Sequence, residues 1–224
     1  MARWLVLVCL ATAGCVTLGP PAPAPVVPEA GEAVDHLAMA ADALAEGEER
    51  KATVYLSAHL SDHPDEAMTR AQLAELLFRQ QRPVEARAEF EQFVATAQPM
   101  TGVPQKHLLH AHTRLMLIAQ DEHDAYAEQL HRGIGLLTLV KGWDADATRR
   151  DEAAANETLA KAVKALRAAR AEKSGDARAN LYLVMAYTRM GQPSAARAAR
   201  VCFDAAVPMG LTAWEQSQAA DARP

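Results

Sequence analysis

The stretch Gly47–Pro64, GEERKATVYLSAHLSDHP, decides the reading of the fold, because its pattern returns 34 residues later. In Gln81–Pro99, QRPVEARAEFEQFVATAQP, the residues Gln81, Ala86, Phe90, Val94 and Gln98 stand where the first copy has Gly47, Ala52, Leu56, Leu60 and Pro64, with Pro99 one place late. A third, partial copy near the C-terminus offers Gly191, Ala196, Phe203 and Pro208. Each residue type has a mechanical reason. Two antiparallel helices approach closely only where one presents a small side chain, here Ala52, Ala86 and Ala196; large residues such as Leu56 and Phe90 fill the groove one turn on. Gly47 and Gly191 end a preceding helix, where positive φ is cheap for glycine, and Pro64 and Pro208 stop the following one.

The helices before these turns also fit. LAELLF sets Leu73, Ala74 and Leu77 on one face, and LYLVMAYTRMG sets Leu183, Ala186, Tyr187 and Met190 ahead of Gly191. Self-similarity at a fixed period of this length is the signature of stacked helix pairs. The spacing resembles the tetratricopeptide repeat (TPR) family. That resemblance implies an all-α solenoid of helical hairpins wound into a right-handed superhelix, with a C-terminal capping helix placed here at Met209–Ala220. A non-repetitive bundle is the alternative, and exposed Ala52 and Ala86 would mark it.

The middle of the chain departs from the period. Pro104–Gln120 and Glu122–Val140 read as amphipathic helices, Lys141–Arg150 as a loop, and Asp151–Lys173 as another helix. Ala162, Leu166 and Ala169 make that last segment the second helix of a unit whose first is Glu122–Val140, which leaves Pro104–Gln120 without a partner. Gly133 and Gly135 cost a helix about 1 kcal/mol each against alanine, and a close helix crossing would explain them.

The 224 residues carry a formal charge of −5, half of them are hydrophobic and only 5% are aromatic. Abundant alanine favours helix; the scarcity of alternating β-branched runs argues against sheet. A mildly acidic chain with dispersed basic residues lacks the basic face that nucleic acid requires. Of the three cysteines, Cys9, Cys15 and Cys202, no two have metal-ligand spacing. Cys202 shares an apolar arc with Ala195, Ala199, Phe203 and Ala206 and is expected to be buried.

At the N-terminus, a basic start at Met1–Arg3 precedes ten apolar residues, Trp4–Ala13. That run suits a secretory leader and is too short to span a bilayer. Thr12-Ala13-Gly14-Cys15 resembles the lipobox of bacterial lipoproteins, although that pattern prefers leucine where Thr12 stands. The resemblance implies cleavage before Cys15 and a diacylglyceryl thioether on its sulfur; ordinary secretion, with Cys15 left as an incidental thiol, is the alternative. Pro20, Pro21, Pro23, Pro25 and Pro28 then hold the chain extended, a tether of roughly 50 Å at about 3.1 Å per residue. The expected organisation is therefore a signal peptide over 1–14, a lipid-anchored proline-rich linker over 15–31 and the helical domain over 32–220. Val16, where some lipoproteins carry an inner-membrane-retaining aspartate, favours the outer membrane, facing the periplasm.

No nucleophile elbow, phosphate loop, dinucleotide fingerprint or H-E-x-x-H motif is present, so the chain reads as a binding protein and not an enzyme, with no cofactor implied. In the TPR family the first helices line the concave face. By resemblance the groove positions are Met68, Ala71, Glu75, Phe78 and Arg79, and near the C-terminus Arg178, Leu181, Met185, Thr188 and Arg189. Such a mixture suits a peptide or partner helix, and the implied role is an adaptor or assembly factor that holds another envelope protein. Leu37, Ala41, Ala71 and Glu75 lack the chemistry of a carboxylate clamp. The second reading is a zinc-binding enzyme or carrier built on the central histidines, with His107, His110 and His123 as ligand candidates; His112 shares the apolar face of Leu108, Ala111 and Leu115, and His131 lies on the next helix.

Overall fold

The computed structural model describes residues 35–100, 102–146, 148, 151–206 and 210–221. The leader, the lipobox with Cys15, the proline-rich linker and Pro208 lie outside the described residues. Within them the fold is all-α and TPR-like: ten helices, α1 (His36–Ala45), α2 (Glu49–Asp62), α3 (Ala67–Arg79), α4 (Pro83–Ala97), α5 (Gln105–Asp121), α6 (Ala125–Ala145), α7 (Glu152–Glu172), α8 (Ala177–Arg189), α9 (Pro193–Ala205) and α10 (Ala213–Asp221). From α1 to α9 each helix packs on the next along the chain, and α10 packs on α8. None of the described helices is long and apolar enough to cross a membrane.

The small residues sit where the repeat requires them. Ala52 and Ala86 are 0% exposed, and Leu56 and Phe90 fill the adjoining grooves. Ala196, in the last hairpin, is partly buried against the C-terminal core.

Four hairpins, α1–α2, α3–α4, α5–α6 and α8–α9, share one turn. In each, a single residue at the helix end adopts positive φ: Gly47, Gln81, His123 and Gly191. Its N–H returns to the carbonyl three residues back, and the next N–H returns five back, as in Gly47 to Leu44 and Glu48 to Ala43, or His123 to Gln120 and Asp124 to Ala119. This closes the orphan carbonyls of the first helix. The second helix then starts on a cap or on a helix-initiating proline. Asp124 accepts the Ala127 N–H at 3.0 Å, and Pro83 and Pro193 open α4 and α9.

The shared turn corrects the pairing of the central helices. α5, left without a partner by its sequence, pairs with α6 through the turn at His123. α6 also packs along α7, so it lies between two neighbours. Its two glycines are explained by that position. A Cβ on Gly133 would meet Leu166 Cγ of α7 at 2.5 Å, and one on Gly135 would face His112 Cβ of α5 at 3.5 Å. Two residues along a helix are about 200° apart around it, so the pair serves opposite faces. The segment read as a loop from Lys141 begins instead as helix, because α6 runs on to Ala145. Trp143 packs beside Val140, Ala155 and Leu159 and so extends the apolar stripe by another turn.

Cys202 is exposed, contrary to expectation. At about 100° per residue, the buried positions Ala199 and Phe203 centre the inward arc of α9. Cys202 falls on its edge, where no helix covers it. α10 fulfils the capping role: Leu211 and Ala219 close over Ala177, Leu181 and Phe203.

Candidate functional site: two recesses flanking helix α5

The first recess, about 410 Å³, lies between α3 and α5. Met68, Thr69, Ala71, Gln72 and Glu75 form one wall, His107, His110 and Ala111 the other, with Phe90 and Phe93 of α4 on the floor. Met68 is 45% exposed at the lip. Glu75 is fully engaged: it accepts Arg114 Nη2 at 2.7 Å and Nε at 3.0 Å, and His110 Nε2 at 2.8 Å. Burial works to raise the Glu75 pKa, but the hydrogen bonds and charges of Arg114 and His110 outweigh it, and the carboxyl stays below its ordinary range. The Arg114 guanidinium also lies 4.5 Å from the Phe78 ring centroid, which leaves Phe78 half-buried beneath it. Arg79 reaches back to Glu49 of α2 at 3.0 Å.

The second recess, about 200 Å³, lies on the other side of α5, where α5, α6, α7, α8 and α10 converge. Leu108, Ile134, Leu137, Val140, Leu159 and Met185 give it an apolar lining, and Trp214 of α10 forms one wall. Two rim charges neutralise each other: Arg189 donates to Asp144 through Nε at 2.8 Å and Nη2 at 2.7 Å. Arg189 also donates to Glu152 at 2.9 Å, so it braces α8 against the end of α6 and the start of α7. Those hydrogen bonds raise its pKa further.

The C-terminal groove positions are therefore differently employed. Met185 lines the second recess. Leu181, 1% exposed, is covered by the cap. Arg178 donates to Glu215 Oε1 at 3.0 Å and to the Gly210 carbonyl. Glu215 is the hub of this corner, buried and multiply bonded. It accepts the Thr212 N–H at 2.8 Å while Thr212 Oγ1 accepts the Glu215 N–H at 3.1 Å, a reciprocal helix cap. It also accepts the Tyr182 hydroxyl at 3.1 Å, and Tyr182 oxygen accepts Gln98 Nε2 at 3.1 Å, linking the end of α4 to α8. Burial, and then the Glu215 charge, push the Tyr182 pKa well up. The T-x-x-E spacing of Thr212 and Glu215 is the one sequence signal that marks this hub.

The histidines do not assemble as ligands. His110 is held by Glu75, and His107 sits in the first recess, its pKa lowered by partial burial and by Lys106 and His110. His123 occupies the hairpin turn beyond the far end of α5, some thirteen residues and about 20 Å from His110. Among the described residues no three His, Cys, Asp or Glu side chains converge on a point that could hold a metal ion. Among the central histidines, His112 and His131 meet, with Nδ1 atoms 3.2 Å apart across the α5–α6 interface. His112 is 2% exposed, and burial followed by the Arg178 charge lowers its pKa to about 4. His131 is depressed too, by burial and then by His112, Arg178 and Arg87.

No family model matches the sequence, and no curated protein matches it. Among solved structures, two crystal structures of MamA are similar to the chain. One has a TM-score of 0.39 at 14% identity and covers 83% of this chain and 92% of its own. The other has a TM-score of 0.38 at 15% identity and covers 82% of this chain and 97% of its own. A similarity that distant adds nothing to what the helices themselves establish: four hairpins with a common turn and a capped C-terminus.

Proposed function

We propose that the chain is a non-enzymatic protein–protein interaction scaffold of the bacterial cell envelope. It is held at the outer membrane by a lipid on Cys15 and receives a peptide or helix of another envelope protein on its concave face. The observation that carries this reading is the open recess between α3 and α5. Its lip offers half-exposed Met68, its floor is aromatic, and its one carboxylate, Glu75, is already neutralised within the wall. Adaptable thioether and aromatic surface on a concave helical face is the chemistry that receives amphipathic segments. The envelope placement is supported by the basic start, the ten-residue apolar run and the small residues before Cys15.

The test is site-specific photo-crosslinking in cells. A photoreactive residue replacing Met68 is expected to capture one discrete partner, and the same residue replacing Val84, 73% exposed on α4 and away from both recesses, is expected not to. Equal labelling from both positions, or none from Met68, would remove the recess from the account.

A further inference from the structure

The second recess carries features that the scaffold reading does not use. Leu108, Ile134, Leu137, Val140 and Met185 surround a cavity of about 200 Å³ closed on one side by Trp214. That volume exceeds the ~150 Å³ known to accept benzene, and falls below the ~300 Å³ at which pockets begin to take whole small-molecule ligands. It is the size of one bulky side chain. Two polar side chains stand at its edge. Gln98 directs its Nε2 to Tyr182, which leaves Oε1 buried without a hydrogen-bond partner. Lys141 has no carboxylate partner among the described residues, and its ammonium lies 5.7 Å from the centroid of the Trp214 ring. Arg189, by contrast, is taken up by Asp144 and Glu152.

We propose that this recess is the anchor pocket of the concave face for an acidic peptide segment. One bulky apolar side chain of the peptide fills the cavity, and a carboxylate flanking the anchor pairs with Lys141. The proposal rests on the scaffold reading and adds to it the chemistry of the partner. The ammonium without a carboxylate partner favours an acidic neighbour over a basic one.

Trp214 reports on the site directly. In the full chain carrying Trp4→Phe and Trp143→Phe, it is the only indole of the three in the sequence. The probes are acetyl-Gly-Phe-Glu-Gly-amide, its Phe-to-Ala and Glu-to-Lys counterparts, and toluene. The Phe-Glu peptide is expected to shift Trp214 emission saturably, the Lys counterpart about tenfold more weakly, and the Ala counterpart not at all. Lys141→Glu and the cavity-filling Thr138→Leu are each expected to weaken the Phe-Glu peptide about tenfold. Should Thr138→Leu fail to fold, Lys141→Glu, on the exposed side of α6, carries the test alone. Indifference to the Phe-to-Ala or Glu-to-Lys change overturns the proposal, as does a response to toluene without a response to any peptide. The two levels separate cleanly: if the Met68 crosslink persists while the peptides do not bind, the anchor pocket falls and the scaffold stands. If the peptides bind as expected and Met68 captures nothing, the pocket stands and the partner surface assigned to the first recess falls.

Discussion

The two glycines of α6 make opposite demands, and replacing each by alanine separates them. At Gly133 the new Cβ would stand 2.5 Å from Leu166 Cγ, 2.7 Å from its Cδ2 and 3.3 Å from the Ala162 carbonyl oxygen. Leu166 is fully buried and Cγ is a branch point, so it cannot swing aside as the tip of a flexible side chain could. Overpacking of that kind costs up to about 3 kcal/mol, against a gain of about 1 kcal/mol in helix propensity. Gly133→Ala should therefore destabilise by about 2 kcal/mol, a fall in Tm of roughly 4–8 °C for a domain of this length. At Gly135 the nearest contact is His112 Cβ at 3.5 Å, ordinary van der Waals separation. There the propensity gain stands almost unopposed, and Gly135→Ala should stabilise by up to about 1 kcal/mol. Thermal and urea unfolding followed by far-UV circular dichroism measure both. A double mutant isolates the cause: Leu166→Ala alone should cost about 2–5 kcal/mol, but in that background Gly133→Ala should become neutral or favourable. If Gly133→Ala proves as stable as Gly135→Ala, or if its penalty survives the removal of Leu166, the close α6–α7 crossing is wrong.

Three further outcomes follow from the geometry. Gln81 holds the positive-φ position that glycine holds in the first and last hairpins, so Gln81→Gly should raise stability by about 1 kcal/mol, read as a higher urea midpoint at unchanged slope. His112 titrates near pH 4 when folded and near 6.5 when unfolded. Its depressed pKa contributes stability fully present above pH 6.5 and lost as pH falls toward 4, about 2 kcal/mol between pH 7 and 5. His131 acts in the same direction, and His131→Gln should flatten the decline measured by urea unfolding; an unchanged slope would exclude the buried pair as its source. Cys15→Ser should release the protein from the membrane fraction of cells and remove the acyl mass from the mature N-terminus, and an unaltered distribution would reject the lipid anchor.

Much of the architecture was legible because its signals are local. Ala52 and Ala86 announce close helix approach, Gly47 and Gly191 announce turns, and the crossing suspected from Gly133 and Gly135 exists. The third turn was hidden because His123 takes the glycine conformation without being glycine, as only a few per cent of non-glycine residues do. The turns at Gly47, Gln81, His123 and Gly191 are successively 34, 42 and 68 residues apart. The second interval is stretched because α5 has 17 residues where α3 has 13 and because the connection before it is longer. The third spans two periods, in which two helices of 21 residues replace a shorter alternating series. At the site, residue types and helix faces were readable, but partners distant in sequence were not: Glu75 with Arg114, Arg189 with Asp144, and above all Glu215, which reaches back to α8 from the cap. The edge position of Cys202 was lost because an apolar arc gives a direction, not the width that a neighbour covers.

The double-sided packing of α6 also bears on how the molecule opens. In an ordinary row of stacked hairpins each brick touches only the next, and the row can fray apart at any joint. Here α6 packs along α5 and α7 and also touches α8, and the Gln98–Tyr182 bond, 84 residues apart in sequence, helps to brace the central joint. Amide protons of α6 should exchange with deuterium only through global unfolding, those of α1 and α2 through cheap local release. The array breathes from its N-terminal edge, while the middle behaves as a keystone.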